Sequence, residues 1–126
     1  MKSIYIVAGD EMQKLFKEKY PSIKTIPFRE NFSEGTYKGY QFNKEFIKNR
    51  SSFWKVSKDD YIEKMSPIIE LDISKEYVLC FGNDKCCVEN LKFIIGYLKE
   101  KEYSKKIKVQ IVNEFDLSVI DEYYEF

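Results

Sequence analysis

YVLCFGNDKCCVENL, Tyr77 to Leu91, is the stretch on which the fold turns. Tyr77–Phe81 is a short apolar run of residues that favour a pleated, buried strand. Gly82, Asn83 and Asp84 stop it, and from Lys85 onward the apolar residues recur at helical spacing. A buried strand that passes through a glycine and an acid straight into a helix is half of a strand–helix–strand unit. The same device stands near the start: SIYIVAGDEMQKLF, Ser3 to Phe16, reads as a strand, then Gly9 and Asp10, then a helix.

The elements between and beyond these junctions follow the same logic. Met12, Leu15, Phe16 and Lys19 share helical spacing, Asp10 suits the N-cap, and Pro21 ends the helix. IKTIPF, 23–28, is a second strand with Pro27 near its exit. RENFSEGTYKGY, 29–40, is a long polar loop, and long loops in compact domains are often functional. From 41 to 56 the pattern is helical, with Phe42, Phe46, Ile47 and Phe53 able to share a face. Ser57 is the expected N-cap of a shorter helix reaching Leu71. After the third strand, Val88, Leu91, Ile94, Ile95 and Leu98 mark a buried stripe. KIKVQIV, 106–112, is a fourth strand, and the tail from Asn113 reads either as a short helix or as an extended edge.

This alternation predicts one α/β domain over residues 1–126: a three-layer sandwich around a mostly parallel, Rossmann-like sheet of about four strands, with right-handed crossovers. The chain's 126 residues suffice for one core, and 44% apolar and 17% aromatic residues exclude disorder. Twenty-one basic residues balance twenty-one acidic ones, which argues against a protein that grips nucleic acid. There is no histidine, so the commonest general base and metal ligand is missing. Cys80, Cys86 and Cys87 form no disulfide or zinc spacing. No segment reads as a signal peptide or membrane span, so a reduced, cytoplasmic protein is expected. Homo-oligomerisation is left open.

In an open parallel sheet, ligands bind outside the carboxyl ends of the strands. Those ends deliver Gly9 and Asp10, then Arg29, Glu30 and Glu34, then Gly82, Asn83 and Asp84, then Asn113 and Glu114. Each junction has an ordinary explanation too: a glycine ends a tight turn and an aspartate caps a helix. The cap explanation does not account for Arg29 and Glu30. Asp10, Glu30 and Asp84 are the candidate catalytic or metal-ligating groups. Clustered carboxylates repel, so they call for a cation, and an all-oxygen set suits magnesium or manganese. Gly9, Arg29, Glu34, Arg50, Gly82, Cys87 and Asn90 are the candidate ligand-binding residues. The two arginines are suited to bidentate anion contacts, although Arg50 could equally be a surface residue ending a helix. Cys87, in a helical first turn, has no histidine to activate it, and buried packing is the ordinary alternative. Asn90 could edge the site or face water. Tyr37, Tyr40, Phe42, Phe46, Phe53 and Trp54 suit a core better than a base-stacking platform. The phosphate motifs G-x-x-x-x-G-K-[ST] and G-x-G-x-x-G and the nucleophile motif G-x-S-x-G are absent.

Two readings follow. One is a small-molecule site for a phosphorylated or nucleotide-like ligand, compatible with metal-assisted hydrolysis or phosphoryl transfer. The other is a non-enzymatic interaction or regulatory module, in which the same charges form a structural ion-pair network fixing the 29–40 loop. Exposure separates them: an open cleft favours the first, closed pairs the second.

Gly9-Asp10, Arg29-Glu30-x-x-x-Glu34-Gly35, Arg50 on a helix, and Phe81-Gly82-x-Asp84-x-x-Cys87-x-x-Asn90-Leu91 together resemble bacterial domain-of-unknown-function family 1835. The resemblance covers about residues 3–100, and the last motif is its most specific part. It departs from the family at Ala8, where members often have asparagine, and at Thr36, where they often have proline. Cys86-Cys87-Val88 stands for a Phe-Cys-Gln stretch. The resemblance implies a polar site at these residues and assigns it no activity.

Overall fold

The computed structural model describes residues 3–125. Its elements run β1 (Ile4–Val7), α1 (Gly9–Lys19), β2 (Thr25–Pro27), α2 (Lys44–Trp54), α3 (Lys58–Ile69), β3 (Tyr77–Phe81), α4 (Lys85–Glu100), β4 (Ile107–Val112) and β5 (Val119–Glu125). The strands form one sheet in the order β2-β1-β3-β4-β5. β1, β2, β3 and β4 are parallel, and β5 pairs antiparallel with β4. The sheet thus has five strands rather than about four, because the tail folds back as an extended edge. Pro27 is tolerated because β2 is the other edge.

Alternate strand residues feed different clusters, as a pleated strand requires. Ile6, Leu79, Phe81, Ile107 and Val109 join the large cluster with Phe46, Tyr61, Met65, Leu91, Phe93, Ile94 and Leu98 from α2, α3 and α4. Val7, Cys80 and Val112 join Met12 and Phe16 of α1 in a smaller one. β3 is buried along its whole length, since helices contribute to both clusters. Among the described residues, no helix is long and apolar enough to cross a membrane.

Several local expectations need correction. The N-cap of α1 is Ala8, with no side-chain cap, and Asp10 lies inside the first turn. Gly9 begins the helix at φ +91°, a left-handed conformation that leads the chain sharply out of β1. α2 starts at Lys44, later than the pattern suggested, because Asn43 caps it by accepting from the Phe46 N–H. Phe53 and Val88 are not core residues; they are 44% and 54% exposed. The buried face of α4 is instead Cys87, Asn90, Leu91, Phe93, Ile94, Tyr97 and Leu98. Ser57 caps α3 as expected, accepting from the Asp60 N–H.

Candidate functional site

Register alone brings the strand ends together. Val7 pairs with both Pro27 and Cys80, and Phe81 pairs with Ile111. Continuing those registers sets Gly9 and Asp10 beside Arg29 and Glu30, and Asp84 beside Glu114. A cleft of about 840 Å³ opens there, and Gly9, Asp10, Arg29, Asp84, Glu114 and Phe115 are among the residues that line it. It lies where β1 connects outward to β2 through α1, while β3 connects the opposite way to β4 through α4. Connections that diverge from adjacent parallel strands leave a crevice at that edge.

The candidate residues divide into a closed group and an open one. Glu30 and Arg50 form the closed group. Arg50 Nε donates to Glu30 Oε2 at 2.9 Å, and Nη2 donates to Oε1 at 2.8 Å. Glu30 also accepts from Tyr61 Oη at 2.7 Å, Trp54 Nε1 at 2.8 Å and the Asn31 N–H at 2.8 Å. The rest of the guanidinium donates to the carbonyls of Asn31, Glu34 and Thr36. Asn90 donates to the Glu30 carbonyl and accepts from the Phe32 N–H. The loop after β2 therefore wraps around a buried arginine, and no buried side-chain donor or acceptor among the described residues lacks a partner. Burial works against ionising Glu30, but the bonds from Arg50, Tyr61 and Asn31 outweigh it and hold its pKa below the ordinary carboxylate value. Burial pushes the Tyr61 hydroxyl upward, and the adjacent Glu30 charge adds to this. Arg50 is no surface helix end; its side chain is fully buried.

The open group lies across the cleft. Arg29 Nε donates to Asp10 Oδ1 at 3.0 Å, in a solvent-facing pair. Asp84 caps α4, accepting from the Cys87 N–H at 2.8 Å. Its hydrogen bond and charge raise the pKa of neighbouring Glu114. Gly82 lies beneath this pair: a Cβ there would stand 3.6 Å from Glu114 Oε2 and 3.8 Å from Asp84 Oδ2. Cys87 is buried, and desolvation pushes its thiol up to about 12. Half-buried Cys86 is the more accessible thiol on the wall. Glu34 is exposed, accepts from Asn31 Nδ2, and does not line the cleft.

Asp10, Glu30 and Asp84 do not converge as a metal-ligating set. Among the described residues, no three acidic, cysteine or histidine side chains are placed to share an ion. The side chains of Glu30 and Asp10 are committed to Arg50 and Arg29, which supply the cation their clustering demands. Sequence reasoning missed Tyr61 and Trp54 as partners of Glu30, and Cys86, Lys64 and Phe115 as cleft residues. Only Phe115 carried a signal, as an aromatic just past a strand end. Neither a protein-family model, a curated protein nor a solved structure matches the chain.

Proposed function

We propose that the cleft at the carboxyl edge of the sheet is the binding site for a phosphorylated or nucleotide-like small molecule. The observation that carries this reading is the convergence of four strand ends on one open cleft of about 840 Å³. The first turn of α1 carries Asp10 and Glu11 and has no side-chain cap, but Arg29 beside it is bonded to Asp10 through Nε, so an anionic group on that side is received by the other nitrogens of its guanidinium. Asp84 and Glu114 on the other side offer carboxyl oxygens to the rest of the ligand, and turnover, if present, is metal-assisted hydrolysis or phosphoryl transfer. A Rossmann-like, three-layer arrangement, a cytoplasmic location and membership of family 1835 belong to the same proposal. The closed Glu30–Arg50 network favours a second reading for those residues, as the structural clasp of the 29–40 loop.

The test is the thermal midpoint of the wild type, Asp84→Asn and Arg29→Ala against magnesium, manganese and panels of nucleotides and sugar phosphates. A ligand that binds only the folded state raises the midpoint by mass action. Asparagine caps a helix as well as aspartate does, so Asp84→Asn keeps the fold. A wild-type shift lost in both variants supports the cleft. Absence of any shift sinks the small-molecule reading and leaves the interaction module.

A further inference from the structure

Phe115 is 82% exposed, the most open large apolar side chain among the described residues, and it stands on the cleft wall. Its loop is firmly built. Asn113 Oδ1 accepts from the N–H groups of Phe115 and Asp116, and the Asn113 carbonyl accepts from the Leu117 N–H. Asp116 Oδ1 accepts from the Ser118 N–H and hydroxyl, and Lys19 Nζ donates to the Asp116 carbonyl. Leu117 sits at φ +61° with its side chain buried in the smaller core cluster. A leucine holds that left-handed conformation only where its surroundings impose it. The loop is thus anchored at Asn113, Asp116 and Leu117, and it holds an aromatic ring in water at the mouth of a cleft.

We propose that Phe115 is a stacking platform for a planar heterocyclic ring of the cleft's ligand, and that the ring is of the guanine type, with two adjacent N–H donors directed to Glu114. This rests on the reading of the cleft as a small-molecule site. Stacking on an aromatic ring tolerates any base, so Phe115 supplies affinity without choosing among them. The choice falls to Glu114 and Asp84, neither of which takes part in an ion pair among the described residues. Asp84 spends Oδ1 on the Cys87 N–H, and its Oδ2 together with the Glu114 carboxyl offers acceptors that repel a ring edge with acceptors of its own. Guanine presents a fork of N–H donors on one edge; adenine sets an acceptor beside its single amino group. With the ring against Phe115, the phosphate end would extend toward Arg29 and the start of α1.

The test is calorimetric titration of the full chain, as wild type, Phe115→Ala and Glu114→Gln, with guanosine, inosine and adenosine 5′-monophosphates and ribose 5-phosphate. Both substituted side chains are exposed, so the fold is retained. The guanosine nucleotide should bind at least about tenfold more tightly than the adenosine one, with inosine between. Phe115→Ala should weaken the guanosine nucleotide by about ten- to a hundredfold and leave ribose 5-phosphate unchanged. Glu114→Gln should erase the preference between bases. If ribose 5-phosphate binds as tightly as the nucleotides, or Phe115→Ala changes nothing, the platform is overturned while the cleft reading stands. If none of the compounds binds, both fall.

Discussion

Arg50 and Glu30 meet through two parallel bonds, Nη2 to Oε1 at 2.8 Å and Nε to Oε2 at 2.9 Å, with neither side chain more than 1% exposed. The guanidinium also faces the rings of Phe32 and Phe53, at 4.9 and 5.3 Å. A lysine offers one point charge and cannot span two carboxylate oxygens and three carbonyls. Arg50→Lys should therefore destabilise the chain by about 3–5 kcal/mol, close to the cost of removing one partner from a buried pair. Urea unfolding checks this, and a loss under about 1 kcal/mol would show that the loop does not depend on the clasp.

Two carboxyl groups should leave opposite signatures in the pH dependence of stability. Glu30 has a folded pKa below the ordinary value of 4.5, so its stabilisation is present above that value and is lost as pH falls through the folded one. Glu114 is raised by its hydrogen bond to Asp84, so its contribution is present below its ordinary value and is lost as pH rises through the folded one. Glu114→Gln should then raise the urea midpoint at pH 7 and have little effect well below pH 4. An equal effect at both pH values would mean that Asp84 and Glu114 do not interact.

Gly96 lies within α4, where alanine ordinarily stabilises a helix by about 1 kcal/mol over glycine. Here a Cβ would stand 2.5 Å from Tyr40 Cγ, the root of a ring packed on the helix. Gly96→Ala should therefore destabilise the protein and loosen the 29–40 loop. Thermal melting with near-ultraviolet circular dichroism would read both effects, and a raised midpoint would show that Tyr40 moves aside freely.

Cys80 and Cys87 are buried, with thiols pushed up to about 12. Cys86 is half-buried and lines the cleft. A disulfide reagent should titrate a single thiol in the native protein and all of them in urea. A ligand that fills the cleft should slow that single reaction, which mass spectrometry would place at Cys86.

Much of this was legible in short stretches of sequence. β3, α4 and β1 follow from apolar runs interrupted by glycine and acid, and the convergence of strand ends follows from a parallel sheet. β5 was ambiguous because Val119–Glu125 is exposed or half-buried throughout, so its alternation marks no core face. Val88 misled because it sits at helical spacing from Leu91 and Ile95, while Phe93 and Tyr97 rotate the buried face of α4 away from it. Asn90 turned inward because two backbone groups of the 29–40 loop needed its amide. The division of the charged residues into a closed clasp and an open cleft was not legible. It depends on where α2 and α3 dock, which brings Arg50, Trp54 and Tyr61 to Glu30 from across the sequence.

The strand order also bears on how the chain assembles. At the middle of the sheet, Ile4 pairs with Tyr77 and Val7 with Cys80, so β1 waits for residues far along the chain before its second edge is covered. β1, α1 and β2 can form early as a local unit, but Glu30 at its end becomes comfortable in an apolar setting only once Arg50 and Tyr61 arrive. Until then its charge resists burial. The late docking of α2 and α3 is thereby coupled to closure of the sheet, and folding should be slowed by these long-range pairings. On a ribosome, the N-terminal unit would stay open and reversible until β3 has emerged.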